Sequence, residues 1–399
     1  MLDSNMFSNR LKRLPPYMFG ELNRRKHELR RLGRDIIDFG MGNPDRPTPE
    51  HIVNKLKEVV NDPKTHRYSN SRGIPNLRKA IVNKYKRKFG IEFDIEKEVL
   101  VTIGSKEGLS HLFLAILNEG DVVVVPTPAF PIHIYAVMIA GGNIVPIKLE
   151  REKDFIPDLN DIVKDFYPKP KALILNFPHN PTGAVVDLDF FEHVVEYCRT
   201  NNIILIHDFA YWDITFDGYK APSVMQVKGA KEVAIEFTTM SKSYNMAGWR
   251  VGFAVGNPEL IEALAKIKGY YDYGLFTAIQ VAAITALNGS QDCVEETRLT
   301  YQRRRDVLIE GLKKLGWEVP VPKGGMFVWA PLPKEFSHMS SMEFANLLLE
   351  EADVAVSPGS GFGAEGEGFI RIALVENEHR IKQAIRNIRR LFQKYGYLK

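Results

Sequence analysis

From about residue 97 the chain alternates short β-branched runs with longer runs of helical period, and this alternation narrows the fold class more than any other feature. "EVLVTIG" is followed by "SKEGLSHLFLAIL", and "DVVVVP" by "FPIHIYAVMIAGG" and then "NIVPIKL". Strands joined through helices cannot be hairpin partners, so they lie parallel with helices covering the sheet. The pattern continues through "KALILNF", the helical "LDFFEHVVEYCRTNN", "IILIHDFAY", "VAIEFTTM" and "WRVGFAVG". It predicts an α/β fold whose large domain holds a mostly parallel sheet of about seven strands.

A long helical stretch, "DCVEETRLTYQRRRDVLIEGLKKLG", then leads into alternating strands and helices that end in "NEHRIKQAIRNIRRLFQKYG". The expected division is 1–50 for an N-terminal arm and part of the small domain, 51–285 for the large domain and 286–399 for the small C-terminal domain. The segment before residue 50 is short and broken by proline. It is expected to join the C-terminal segment or to reach across to a partner subunit.

Charge excludes several function classes. Among 399 residues, 53 Lys and Arg face 49 Asp and Glu, a formal +4 too balanced to argue for nucleic acid or a membrane surface. The most basic stretch, "NRRKHELRRLGR" at 23–34, interleaves His27 and Glu28 with its cations and reads as a solvated helix face. Cys198 and Cys293 are far apart without a metal-type spacing, so no metal site is expected, and a reduced compartment is. The N-terminus lacks the apolar core of a signal peptide, and no apolar run approaches a membrane span, so a cytoplasmic location is expected. Small polar ligands remain.

Open α/β sheets bind ligands beyond the strand ends, which directs attention to the polar residues there. After "VLVTI" stand Gly104, Ser105 and Lys106 at the start of a helix, where backbone N–H groups and the helix dipole favour an anion such as phosphate. A plain helix cap at Ser105 explains the same residues. Asp208 follows "IILIH", with Tyr211 three residues on, and Asn180 opens "NPTG" after "ALILNF". Each alone is also ordinary turn or capping chemistry, and Phe130 alone is core packing. Lys242 sits between two serines, close to Thr239, Ser241 and Arg250. Together, a lysine amine, a carboxylate, a phenol, an amide, an aromatic face and a phosphate nest are the parts that a pyridoxal phosphate site requires.

The segment S-K-x7-R with Gly252 behind it, "NPTG", "DFAY" and the late "GFIRIAL" resemble the class I aminotransferases of the aspartate aminotransferase fold. The resemblance runs from "DFGMGNPD" to "FIRIAL", and "RLPPYMF", "YSNSRGIPNLRKAI", "TIGSKEGL" and "TMSKSYNMAGWRVGF" bring it nearest to bacterial alanine (glutamate to pyruvate) aminotransferases, with diaminopimelate aminotransferases as close relatives. It implies pyridoxal 5'-phosphate as cofactor, Lys242 as its Schiff-base lysine and Asp208 as partner of the pyridine nitrogen. Tyr211 and Asn180 would contact the ring oxygen and Phe130 would stack on the ring. Gly104, Ser105, Lys106, Thr239, Ser241 and Arg250 would surround the phosphate. Tyr68 would be lent to the neighbouring subunit's phosphate, which implies a homodimer with shared sites. Arg371 would grip the substrate α-carboxylate, with Gly42 and Asn180 beside it. Thr239 departs from the Gly or Ser common at that position of the family, yet keeps a hydroxyl.

The implied activity is transfer of an amino group between an L-amino acid and a 2-oxo acid, with L-alanine, L-glutamate, 2-oxoglutarate and pyruvate as the expected set. Aspartate, aromatic or diaminopimelate transamination and carbon–sulfur β-elimination are the alternatives on the same fold. A cofactor-binding regulator would need an appended DNA-binding domain, and only about forty residues precede "DFGMGNPD". The stretch 268–280, "KGYYDYGLFTAIQ", has no arginine to meet a distal carboxylate, which favours a small or apolar side chain over aspartate.

Overall fold

The computed structural model describes residues 6–15, 18–158, 160 and 168–398; Pro16 and Tyr17 of the "RLPPYMF" motif lie outside them. Twelve strands are present among these residues. They are β1 (Ile37–Asp38), β2 (Val99–Thr102), β3 (Val122–Thr127), β4 (Asn143–Lys148), β5 (Ala172–Leu175), β6 (Ile204–Asp208), β7 (Ala234–Thr239), β8 (Gly252–Gly256), β9 (Phe327–Pro331), β10 (Val354–Ala355), β11 (Ser357–Pro358) and β12 (Phe369–Ala373).

Seven of them form one sheet in the order β2-β8-β7-β6-β5-β3-β4. All neighbours are parallel except β8, which runs antiparallel to both β2 and β7. The expected mostly parallel, seven-stranded sheet is therefore what the chain builds. Its strands carry apolar residues at successive positions because both faces are covered. Along β5, Leu173 and Leu175 enter the cluster that contains Tyr85 and Trp212, while Ala172 and Ile174 face the opposite cluster around Leu109, Phe113 and Phe237. The covering helices start and stop on local signals. Pro75 opens Pro75–Phe89 and Gly90 closes it in the left-handed region, and the Asp187 side chain caps Leu188–Asn201.

The strand β8 has a consequence for the site. Because it runs backwards, its first residue, Gly252, pairs with both Thr102 and Thr239, the last residues of β2 and β7. Arg250 therefore arrives at the edge where the parallel strands end.

A three-stranded antiparallel sheet, β11-β12-β9, and a parallel pair, β1-β10, belong to a third core cluster that includes Trp317, Phe344 and Phe392. The residues Leu22, Leu29, Ile36, Ile37 and Phe39 join this cluster. The basic helix Met18–Arg31 is thus not the uniformly solvated face expected from its charge. Leu22, Lys26 and Leu29 are buried along one stripe, Arg25 pairs with Glu350, and Arg34 lies 2.7 Å from Asp353. Spacing of three and four residues turns these positions to one side while the remaining cations stay outside. No helix among the described residues is long and apolar enough to cross a membrane.

Candidate active site

The ends of β5, β6, β7 and β2 open into a cavity of about 300 Å³ closed from the other side by residues 38–42, Ser357 and Arg371. Asp208 is the last residue of β6 and is 4 % exposed. Its Oδ2 accepts a hydrogen bond from His133 Nε2 at 2.9 Å, and its backbone carbonyl accepts one from Asn176 Nδ2 at 2.7 Å. Its Oδ1 is buried with no hydrogen-bond partner among the described residues. A buried, unpaired carboxylate oxygen is costly, so its survival at a cavity wall marks it as a place for a donor from a bound molecule.

Tyr211 follows on the turn after β6, with its hydroxyl 3.5 Å from Asn180 Nδ2. Burial pushes this phenol well above its ordinary pKa, so it stays protonated. Asn180 is fixed at both ends: its backbone N–H donates to Asn176 Oδ1 at 2.9 Å, and its Oδ1 accepts from Arg371 Nη1 at 3.0 Å.

Lys242 stands in the four-residue turn of helix Met240–Ser243, capped by Thr239 Oγ1, which accepts from Ser241 N–H at 3.2 Å. The lysine Nζ donates to the Gly42 carbonyl at 2.9 Å. Its pKa falls to about 8, first through burial and then through the nearby cations Arg371 and Arg250, with Asp208 opposing the shift. A substantial share of this amine is therefore neutral near physiological pH and can act as nucleophile or base.

Ser105, Lys106, Thr239, Ser241 and Arg250 line the same cavity. Gly104, at φ +76°, precedes the helix Ser105–Ile116 and stands behind the wall rather than in it. A Cβ there would lie 2.4 Å from Arg250 Nη2, so a side chain would displace the guanidinium. Helix N–H groups beside three hydroxyls and a guanidinium form an anion site.

Arg371 is 5 % exposed on β12, where it pairs with Ser357 in register. Its Nη2 donates to the Gly40 carbonyl at 3.2 Å, and its guanidinium carbon is 4.1 Å from the Phe327 ring centroid and 4.6 Å from that of Phe362. Gly42 lies against the same aromatic: a Cβ on it would be 2.5 Å from Phe327 Cζ. Phe130 caps the helix Pro131–Ile139 and lines the cavity, with its ring 5.8 Å from that of His133.

Of the residues singled out in the sequence, the fold brings Gly42, Ser105, Lys106, Phe130, Asn180, Asp208, Tyr211, Thr239, Ser241, Lys242, Arg250 and Arg371 to one cavity. Tyr68 is not among them. It is 95 % exposed, with its ring 5.9 Å from that of Tyr273. Sequence reasoning missed Asn176, His133, Phe327 and the pair Lys26 and Asp38. Asn176 follows β5 directly and the strand-end rule reaches it; the others depend on contacts between distant segments.

Residues 34–388 match the family model described as aminotransferase class I and II. The glutamate-pyruvate aminotransferase AlaC of Escherichia coli (strain K12) is 54% identical over 98% of this chain and 94% of its own length. An LL-diaminopimelate aminotransferase of Syntrophobacter fumaroxidans is 46% identical over 96% of this chain and 98% of its own length. Among solved structures, a double mutant of the Thermus thermophilus aspartate aminotransferase superposes with a TM-score of 0.91 at 32% identity, covering 96% of this chain and 99% of that one. With its seven-stranded sheet, its cavity at the strand ends and these likenesses along nearly its whole length, the chain belongs to the class I and II aminotransferase family and is an aminotransferase.

Proposed function

We propose that the cavity holds pyridoxal 5'-phosphate and that the enzyme exchanges amino groups between L-alanine and L-glutamate and their 2-oxo acids. The observation that carries the cofactor reading is the buried, partnerless Oδ1 of Asp208, an acceptor in want of a ring N–H. The rest of the donor set fits the group. Phe130 would lie on the ring, Tyr211 and Asn180 would meet its oxygen, and Ser105, Lys106, Thr239, Ser241 and Arg250 would take its phosphate. A side chain at Gly104 would push the Arg250 guanidinium out of this cradle. When bound, pyridoxal phosphate supplies an electrophilic carbon and an electron sink for the substrate's α-carbon.

The chain's own residues do the rest. Arg371 binds the α-carboxylate as a bidentate pair and is braced by Asn180, Gly40 and the Phe327 face. Its orientation fixes which bond at the α-carbon is exposed to Lys242. The lysine amine, held at the Gly42 carbonyl and lowered to about 8, takes the α-proton and later returns one. Asp208, oriented by His133, would meet the ring N–H of the cofactor and transfers no proton itself.

The likeness to a glutamate-pyruvate aminotransferase supports alanine and glutamate as the substrate pair. The absence of arginine in 268–280 agrees with it. The active unit we propose is a homodimer in which Tyr68 crosses to the neighbour's phosphate, and its exposure beside the exposed Tyr273 suits such an interface. Two free cysteines and the acid–base chemistry of small metabolites suit the cytoplasm. A single-turnover panel of L-alanine, L-glutamate, L-aspartate and LL-diaminopimelate against the loaded enzyme, read by cofactor absorbance, tests the reading. L-Alanine with 2-oxoglutarate is expected to exceed L-aspartate with 2-oxoglutarate in kcat/KM. An aspartate preference of about tenfold, roughly 1.4 kcal/mol, overturns it.

A further inference from the structure

We infer that Lys26 takes the second carboxylate of a dicarboxylic substrate, and that Asp38 neutralises it when the substrate has none. The inference rests on the aminotransferase reading above, in which one partner is a five-carbon diacid and the other a monocarboxylate.

Five cations line the cavity among the described residues: Lys26, Lys106, Lys242, Arg250 and Arg371. Lys242 is the reacting amine and Arg371 the α-carboxylate site. Arg250 packs behind Gly104, and Lys106 is the exposed neighbour of Ser105 on that same anion-binding side. Lys26 is the remaining cation and is 7 % exposed. A lysine so far removed from water persists only with partners. Its Nζ lies 2.7 Å from Asp38 Oδ2 and donates to Asn23 Oδ1 at 2.8 Å. An ammonium has three N–H donors, and among the described residues the third has no partner.

Position ties this amine to the α-carboxylate site. Arg371 Nη2 donates to the Gly40 carbonyl at 3.2 Å, the Gly40 N–H donates to Asp38 Oδ1 at 3.0 Å, and Asp38 holds Lys26. Residues 38–42 therefore carry both anchoring points along one wall. Asp38 is itself shared, because Arg30 Nη2 also stands 3.6 Å from its Oδ2, while the Asp38 backbone N–H donates to Glu376 Oε1 at 3.2 Å.

The pair explains how one cavity can serve substrates of opposite side-chain character. A distal carboxylate meets the free N–H of a flexible ammonium in a site of low water content, where charge-assisted hydrogen bonds are strong. A methyl group instead leaves the ammonium in its existing pair with Asp38, so no unpaired charge faces it. The second site of an arginine-based diacid pocket would penalise the methyl group.

The experiment uses the full-length enzyme loaded with pyridoxal phosphate. It compares kcat/KM for 2-oxoglutarate and for 2-oxopentanoate, which has the same chain length and no second carboxylate, with whichever L-amino acid donor the panel finds best. Binding of unreactive glutarate and pentanoate, followed by calorimetry, gives a second readout that needs no turnover and stands even if the alanine assignment fails. Wild type is expected to favour 2-oxoglutarate and glutarate by about thirtyfold or more. Lys26→Met should reduce both preferences to within about threefold. Because that change strands Asp38, the double variant Lys26→Met/Asp38→Asn is measured beside it and should show the same loss. The inference is overturned if wild type shows no preference for the diacids or if the preference survives in both variants. It is also overturned if Lys106→Met removes the preference instead, or if all oxo acids fall by one common factor, as a merely structural brace would give.

Discussion

Asp208 Oδ2 is hydrogen-bonded to His133 Nε2 at 2.9 Å, while Oδ1 of the same carboxylate is buried without a partner among the described residues. One oxygen is thus locked by a residue 75 positions away, and the other is held ready for something the cavity admits. That division of a single carboxylate ties the fold to the chemistry.

Asp208→Asn keeps the shape and the contact to Asn176 through the backbone but removes the charge. We expect kcat/KM to fall by about 10³, as when a preorganised electrostatic partner is lost. His133→Ala leaves the carboxylate in place but free to rotate, and should cost on the order of tenfold. Steady-state kinetics of both variants, with circular dichroism to verify folding, checks the order. A larger loss for His133→Ala contradicts the roles.

Lys242→Ala should abolish turnover. In wild type freed of cofactor, the rate of covalent capture of pyridoxal phosphate should rise with pH and level off above about 8, because only the neutral amine is nucleophilic. The sign for stability follows from the same shift. The folded pKa lies below the unfolded lysine value of about 10.4, so between the two the unfolded chain binds more protons and this group's contribution to stability rises with pH. Stopped-flow absorbance from pH 6 to 10 measures the capture, and a midpoint near the ordinary lysine value would contradict it.

Gly42→Ala places a Cβ within 2.5 Å of Phe327 Cζ. The ring must move, and it is the surface on which the Arg371 guanidinium rests. We expect KM for amino and oxo acids to rise together by about tenfold, with a loss of roughly 1–3 kcal/mol in stability from overpacking. Thermal melts and kinetics on two substrates separate the effects. Unchanged KM with lowered stability would detach Phe327 from substrate binding.

Tyr68 offers a test of the assembly. Tyr68→Phe should weaken cofactor retention, and mixing that chain with Lys242→Ala should give hybrid dimers with one site carrying both defects and one carrying neither. Activity therefore returns on mixing two impaired proteins. If Tyr68 serves its own chain, each site keeps one defect and no wild-type site appears.

Local pattern alone determined a large part of this protein. The seven strands of the main sheet are each legible as β-branched runs, and a carboxylate, an amide and a lysine that directly follow strands or lie within a few residues of them are carried to one edge wherever those strands run parallel. This is why Asp208, Asn180, Lys242 and Ser105 could be found from spacing. The likeness in the late "GFIRIAL" singled out Arg371, but its bracing by Asn180, Gly40 and Phe327 could not be read there. Those contacts join β12 to a turn 191 residues earlier and to the segment after β1.

Tertiary structure alone decided the rest. His133 meets Asp208 only because the helix Pro131–Ile139 packs over the ends of the strands, and the lowered pKa of Lys242 comes from burial and from two arginines distant in sequence or turned by a backward strand. Lys26 shows the difference most plainly. In the sequence it is one cation among many on a basic helix, and its neighbours gave no reason to separate it from them. In the fold it is the cation on the inner stripe, paired with Asp38 at the cavity wall. Periodicity assigns a residue to a face, but only the packing of that face against a distant strand fixes the solvent, partners and charge that its side chain meets.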